Sequence, residues 1–158
     1  MTRLRLLPLL LIPVLIAACA GKPKATAEAL SGDGMVLRVE ASPTRVEKAG
    51  AAVNVRLLAT NAHKGPIKLL FNSSKKFDLL LADSEGTVLW QYGGDRYYTM
   101  ALEEVYLQPG ESIEERIQLT LPPRGVKLAP GTYQLTGILE GNAKMTGEPV
   151  EIEYAPAP

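Results

Sequence analysis

The feature that most constrains the fold of this chain is an alternation of apolar and polar residues that recurs between Met35 and Tyr154. A period of two places successive side chains on opposite faces of an extended strand, so that one face meets a core and the other meets water. The apolar members of the clearest segments are Met35, Leu37 and Val39; Val53, Val55 and Leu57; Phe77, Leu79 and Leu81; Tyr133, Leu135, Gly137 and Leu139; and Val150, Ile152 and Tyr154. The pattern predicts a domain built from strands.

Turn-forming residues separate these segments at regular intervals. They include Gly-Pro, Pro-Gly and Gly-Gly pairs and the hairpin-like loop Asp83–Gly86. Tyr98–Glu104 is the one segment that suggests a short helix. About seven to eight short strands with this punctuation predict an all-β fold, an immunoglobulin-like antiparallel β-sandwich. Tyr133, which follows Gly131 and Thr132, resembles the tyrosine corner of such domains, whose phenol bonds to nearby backbone.

The first 18 residues have a different pattern from the rest. Arg3 and Arg5 precede the apolar run Leu6–Ile16, and two alanines and Cys19 follow it. This order is typical of a secretory signal, and the apolar run is much shorter than the roughly 20 residues that span a bilayer. The end of the run resembles the lipobox of bacterial lipoproteins, which implies a signal peptide at 1–18 and lipidation of Cys19. The alternative is an ordinary signal peptide that happens to contain this cysteine.

The signal also predicts a location and a division of the chain. Residues 19–34 are mostly small and polar, and we expect a lipidated Cys19 and a flexible tether there, followed by a domain at 35–158. A lipid on Cys19 would attach the chain to a membrane of the bacterial cell envelope. In a Gram-negative host, Ala20 after the cysteine would imply the outer membrane, facing the periplasm. Cys19 is the only cysteine in the chain, so no internal disulfide can form.

The charge balance excludes one class of partner. Removing Arg3 and Arg5 from the 17 basic residues leaves 15 against 17 acidic ones. A nearly balanced chain of this kind lacks the basic footprint that binds nucleic acid.

No set of residues for catalysis or metal binding emerges from the sequence. His63 is the only histidine, so it has no second histidine as a fellow metal ligand, and it lies in a turn. Ser73 and Lys76 have the Ser-x-x-Lys spacing of penicillin-recognising enzymes, but the partner motifs are absent. Asp83 and Glu85 provide too few oxygen ligands for calcium. The sequence therefore predicts a protein that is not an enzyme and has no cofactor or metal.

A group of short motifs spans roughly Val53 to Leu139. They are Phe71-Asn72-Ser73-Ser74, Phe77-Asp78, Asp83 with Gly86, Val88-Leu89-Trp90 with Tyr92, Ala101, Leu107-Gln108-Pro109-Gly110-Glu111, Pro130-Gly131-Thr132-Tyr133 and Gly137. At these spacings the chain resembles the BsuPI family, which is named after an intracellular proteinase inhibitor. The resemblance implies an immunoglobulin-like sandwich and makes proteinase inhibition the expected activity.

Two segments are candidates for binding a partner. Tyr92, Tyr97, Tyr98 and Met100 are concentrated around a Gly-Gly turn, and aromatic side chains are enriched at interface hot spots. The alternative is that aromatic residues here serve packing, with Trp90 as a core anchor like Tyr133. A second segment, Gln118–Lys127 with its Pro122-Pro123 pair, is the best candidate for an inhibitory loop.

These features together predict a membrane-anchored envelope lipoprotein that acts as a non-enzymatic protein-binding module. Its partners would be the membrane, through the lipid on Cys19, and an envelope protein or a proteinase, with no nucleic acid. The alternative function, implied by the family resemblance, is proteinase inhibition.

Overall fold

The computed structural model describes residues 22–31 and 34–157, and the regular structure in this part of the chain consists of strands. The strands are β1 Ala25–Leu30, β2 Met35–Ser42, β3 Arg45–Val46, β4 Ala51–Asn61, β5 Ile67–Phe71, β6 Phe77–Ala82, β7 Val88–Gln91, β8 Glu103–Leu107, β9 Ser112–Leu121, β10 Gly131–Leu139, β11 Met145–Thr146 and β12 Val150–Tyr154. Within these ranges no helix could cross a membrane. The predicted signal peptide and Cys19 lie outside the described residues.

The strands form two main sheets and a separate ribbon. One sheet has the order β1-β2-β4-β9, and the other has the order β3-β12-β10-β6-β7 with β11 paired to β10. The ribbon consists of β5 and β8. Neighbouring strands are antiparallel except for β3 and β12, which run parallel. The predicted β-sandwich is confirmed. The number of strands exceeds the predicted seven to eight, because strands such as β3 and β11 have only two residues each and are too short to show a period in the sequence.

The core lies between the two main sheets and contains the residues that the alternation predicts. Burial alternates from one residue to the next along β2, and along β10 from Tyr133 onward. At the centre of β10, a Cβ on Gly137 would lie 2.7 Å from Leu57 Cδ2 and 2.9 Å from Val39 Cγ2. Real Cβ atoms do not approach other atoms this closely, so the missing side chain lets the two sheets pack against each other.

Strand β1 corrects part of the prediction of a flexible tether at 19–34, because residues 25–30 of that range form a strand. Ala25–Leu30 pairs antiparallel with β2 along its whole length, from Ala25 opposite Ala41 to Leu30 opposite Val36. Ala25 and Ala27 are partly buried against the core. Alternating alanines produce only a weak apolar signal in the sequence, yet small side chains are enough at the edge of a sheet.

The predicted helix at Tyr98–Glu104 is also wrong. Residues 96–102 have no regular structure, and β8 begins at Glu103. From there the chain pairs with β5, with Glu103 opposite Phe71 and Leu107 opposite Ile67. Pairing with a neighbouring strand outweighs the weak local tendency toward a helix.

Candidate functional site

A groove opens on the flank of the sandwich where the free edges of the two sheets meet. Strand β9 is the last strand of one sheet and β7 is the last strand of the other. The groove has a volume of about 440 Å³. We call it the flank groove, and its lining consists of Trp90, Tyr92, Asp95 and Arg96 on one side and Gln118, Leu119, Thr120, Pro123 and Arg124 on the other.

The first wall of the flank groove is aromatic. The rings of Trp90 and Tyr92 meet edge to face, with centroids 6.3 Å apart and an interplanar angle of 65°. The Arg96 guanidinium lies over the Tyr92 ring at 3.9 Å from the centroid. Burial raises the pKa of the Tyr92 phenol, and its O–H donates a hydrogen bond of 3.4 Å to Glu115 Oε1. This long hydrogen bond connects the wall to β9.

The rim of the flank groove carries two arginines. Arg96 and Arg124 are both exposed, and neither forms an ion pair with another residue in the described ranges. Asp95 is the one acidic residue in the lining. A guanidinium that stacks on a ring keeps its N–H groups free at the edge of the plane, so Arg96 can still bind a carboxylate.

A buried carboxylate anchors the turn that carries this rim. Asp78 has no exposed surface. Its Oδ1 accepts hydrogen bonds of 2.9 Å from the backbone N–H of Leu79 and of Gly93, and its Oδ2 accepts one from Gln91 Nε2 and one from the Lys75 ammonium. Burial alone would raise the pKa of Asp78, but these donors outweigh it and hold the pKa below its ordinary value.

Lys75 completes the anchor from the other side. Its ammonium binds Asp78 and also Glu140, at 3.1 Å from Glu140 Oε1. Burial lowers the pKa of Lys75, but the two carboxylates outweigh this effect and the pKa lies above its ordinary value. A Cβ on Gly93 would lie 2.8 Å from Lys75 Nζ and 3.0 Å from Asp78 Oδ2, so a side chain at this position would have to displace the Lys75 ammonium from its place beside Asp78.

The predicted binding surface around the Gly-Gly turn is divided by the fold. Tyr92 lines the flank groove. Tyr97 and Met100 are exposed and do not line the groove. Tyr98 turns inward, with its ring 5.9 Å from Lys75 Nζ and its hydroxyl buried without a hydrogen-bond partner among the described residues.

The two predicted core anchors differ in their surroundings. Tyr133 is buried, and its hydroxyl donates a hydrogen bond of 2.7 Å to the carbonyl oxygen of Ala129. Trp90 is only partly buried, because one side of its ring packs on the core and the other lines the flank groove. Trp90 therefore packs against the core from the edge of a sheet, whereas Tyr133 is buried within it.

The second candidate segment, Gln118–Lys127, is partly a strand and partly a turn. Its first four residues belong to β9, and the turn that follows brings Pro123 and Arg124 to the groove. Both nominated segments therefore contribute to one site. The two arginines of the rim were missed because exposed arginines are common, whereas Asp78 had a readable signal as an acid within an apolar strand.

The residues weighed for catalysis remain separate from this site. His63 lies in a turn, where its Nδ1 accepts a hydrogen bond of 3.0 Å from the Gly65 N–H. Within residues 22–31 and 34–157, no three His, Cys, Asp or Glu side chains come together in a way that could hold a metal ion.

Comparison with known proteins identifies one family. The family model described as "Intracellular proteinase inhibitor" (BsuPI) matches residues 40–144, which is most of the chain. No curated protein sequence matches the chain.

Solved structures resemble the chain only distantly. The sporulation control protein Spo0M of Bacillus subtilis has a TM-score of 0.49 at 13% identity, over 77% of this chain and 49% of that one. The DNA glycosylase AlkC of Pseudomonas fluorescens has a TM-score of 0.44 at 15% identity, over 73% and 28%. A β-glucosidase of Erythrobacter marinus has a TM-score of 0.43 at 12% identity, over 84% and 16%. The chain spans half or less of each of these proteins, and likenesses this distant carry no argument about function.

The family match corrects the predicted location. The first residues predicted the bacterial cell envelope, with the outer membrane in a Gram-negative host. The family is described as intracellular, which contradicts that location. Lipidation of Cys19 stays a prediction, since this residue lies outside the described part of the chain.

Proposed function

The chain belongs to the BsuPI family of intracellular proteinase inhibitors, and from this premise we propose that it inhibits a proteinase by binding it through the flank groove. The observation that carries the proposal is the meeting of two segments, around Tyr92 and around Pro123, on one concave surface. The sequence predicts a binding role for each segment on a different ground, which is aromatic clustering for the first and a proline pair for the second.

The composition of the flank groove suits the recognition of a protein. Tryptophan, tyrosine and arginine dominate hot spots, because they combine a large apolar surface with directed hydrogen bonding. Trp90 and Tyr92 provide the apolar wall, and Arg96 and Arg124 provide donors at the rim.

The groove is also held in shape before a partner arrives. Its walls come from two sheet edges, and the turn at Gly93 is tied to the buried carboxylate of Asp78. Little conformational entropy is then lost on binding, which favours affinity.

Inhibition through such a surface requires no chemistry from this chain. A bound inhibitor blocks a proteinase either by filling its cleft or by covering the approach to it. Protein binding without inhibition, the broader function that the sequence suggested, would use the same surface, and the experiment below separates the two.

The proposal is tested by incubating the purified chain with a panel of serine and metallo-proteinases and measuring cleavage of a large protein substrate and of a small peptide substrate. We expect saturable inhibition of protein cleavage by at least one enzyme. Suppression of small-substrate cleavage as well would indicate that the cleft is filled. Trp90, the only tryptophan in the chain, lines the groove and should report binding by a change in emission.

The site is tested with a matched pair of arginine variants. Arg124→Ala should weaken inhibition, whereas Arg45→Ala, at an exposed arginine of β3 that does not line the groove, should leave it unchanged. If neither variant changes inhibition, the proteinase does not bind at the Arg124 side of the flank groove. Failure to inhibit any proteinase, together with tight binding of a protein that is not one, would replace the proposal with the broader binding function.

A further inference from the structure

The free edge of β9 indicates what kind of segment the flank groove holds. We propose that an extended, acidic peptide segment of the partner adds to β9 as a further strand, with its carboxylates on Arg96 and Arg124. The inference rests on the proposed function, because it names the part of the partner that the groove would receive.

The first argument is the backbone of β9. Within the described residues β9 pairs with β4 and with no other strand. The Asn61 N–H donates a hydrogen bond of 2.9 Å to the carbonyl oxygen of Glu111, and in an antiparallel pair the residues that bond to the neighbour alternate from such a point. Counting along the strand, Gln118 and Thr120 direct their N–H and C=O groups away from β4, toward the side that is free. Both residues line the flank groove.

A row of unpaired backbone groups is a template for an added strand. Peptide recognition by strand addition takes its affinity from main-chain hydrogen bonds and its specificity from the side chains beside the edge. The hydrogen bond from the Tyr92 phenol to Glu115 connects the two walls at one end of the groove, because Glu115 precedes Gln118 and Thr120 along β9. The incoming strand would therefore lie against Gln118 and Thr120 and extend toward Arg124.

The second argument is charge complementarity. Arg96 and Arg124 line the groove without an ion pair in the described part of the chain, and Asp95 is the one acidic residue in the lining. A guanidinium binds a carboxylate with two parallel hydrogen bonds. In an extended peptide every second side chain points the same way, so acids at alternate positions could meet both arginines while the backbone pairs with β9.

Three labelled peptides test the inference on the whole chain. The first is a fluorescein-labelled octapeptide in which glutamate and valine alternate. The second carries lysine in place of glutamate, and the third is the acidic peptide with alternate backbone amides N-methylated. Fluorescence anisotropy should show binding of the first peptide, and affinity for the other two should be lower by about tenfold or more, because one loses the charge pairing and the other loses the backbone pairing.

Charge-reversal variants locate the binding. Arg96→Glu and Arg124→Glu should each weaken binding of the acidic peptide by about tenfold or more, whereas Arg45→Glu, outside the groove, should have no effect. Equal binding of the acidic and lysine peptides, undiminished binding of the N-methylated peptide, or no binding of the acidic peptide would overturn the inference. Proteinase inhibition that persists beside any of these results would leave the proposed function intact. Binding of the acidic peptide without inhibition of any proteinase would overturn the proposed function alone.

Discussion

Asp78 occupies a position where a charged side chain needs a full set of partners. It lies within the apolar strand β6, and its two oxygens accept hydrogen bonds from two backbone N–H groups, an amide and an ammonium. A buried charge without such partners would neutralise or destabilise the fold. One of the donors is the Gly93 N–H, so the carboxylate connects the core of a sheet to the turn beside the flank groove.

Replacing this carboxylate tests how much the anchor stabilises. Asp78→Asn keeps the shape of the side chain, but it removes the charge from a buried set of hydrogen bonds and leaves Lys75 with Glu140 as its carboxylate partner. Hydrogen bonds to a charged group typically contribute about 1.5–3 kcal/mol each, so the free energy of unfolding should fall by at least about that amount. Urea unfolding followed by circular dichroism measures the change. Glu28→Gln serves as the control, because the Arg38–Glu28 pair is exposed and its loss should cost less than about 1 kcal/mol. Equal effects of the two variants would show that Asp78 is not an anchor.

Individual residues differ in how far the sequence predicts their roles. Tyr133 follows a Pro-Gly turn at the start of a strand, and this local context is enough to suggest a buried phenol bonded to backbone. Arg96 and Arg124 have no such context, because they become one site only when two segments about 30 residues apart meet. Trp90 lies between these cases, since an edge strand leaves one side of its ring uncovered.

At the level of elements, β1 protects an edge that would otherwise be open. Its pairing with β2 satisfies the outer backbone groups of a long central strand. An exposed long strand edge is a template for association with another chain. The segment therefore belongs to the fold, and the alternation of small residues that builds it is too weak to be read without the neighbouring strand.

Removing β1 tests this role. A chain beginning at Met35 should have a lower free energy of unfolding than a chain beginning at Lys22, on the order of a few kcal/mol, because several backbone hydrogen bonds are lost. It should also self-associate through the exposed edge of β2. Denaturant unfolding and sedimentation velocity measure the two effects. If both chains unfold at the same denaturant concentration and both are monomers, the segment before Met35 acts as a tether and does not stabilise the fold.

The close packing of the two sheets depends on Gly137. Gly137→Val places a branched side chain where even a Cβ would overlap Leu57 and Val39, and overpacking of this kind lowers the free energy of unfolding by about 1–3 kcal/mol. Gly131→Ala, on the same strand but with open space around the added Cβ, is the matched control and should be neutral. Thermal melting compares the two, and a neutral Gly137→Val would indicate that the sheets can separate without cost.

The strands with strong alternation were predictable because each carries its own pattern of burial. The edges of the sheets were less predictable, since β1, β7 and β8 owe their conformation to a neighbouring strand. The flank groove was not predictable as a site, because it exists only where the edge of β9 meets the edge of β7. The sequence predicts two segments for binding, but it does not show that they are neighbours in the folded chain.

At the scale of the whole molecule, the same buried anchor joins the core to the candidate site. Lys75 and Glu140 come from two separate loops, and the Lys75 ammonium binds both Glu140 and the Asp78 carboxylate of β6. The turn at Gly93 is held by this cluster, so the wall of the flank groove has the stability of the sandwich rather than that of a free loop. A variant that weakens the anchor should therefore weaken inhibition as well as folding.

The stability of the whole molecule should also depend on pH in a way that identifies the anchor. The pKa of Asp78 is lower in the folded chain than its ordinary value of about 3.9. The charged form is therefore favoured by folding, and its contribution is fully present above that value and is lost as pH falls through the lower, folded pKa. We expect the melting temperature to be nearly constant from pH 7 to pH 5 and to drop steeply below pH 4.

In Asp78→Asn the melting temperature at pH 7 should already be lower, and its further fall in acid should be shallower, since the titrating group is gone. Melting curves followed by circular dichroism at each pH give both slopes. Parallel acid profiles of the two proteins would show that other carboxylates, such as the exposed Glu114 with its own lowered pKa, control acid unfolding instead.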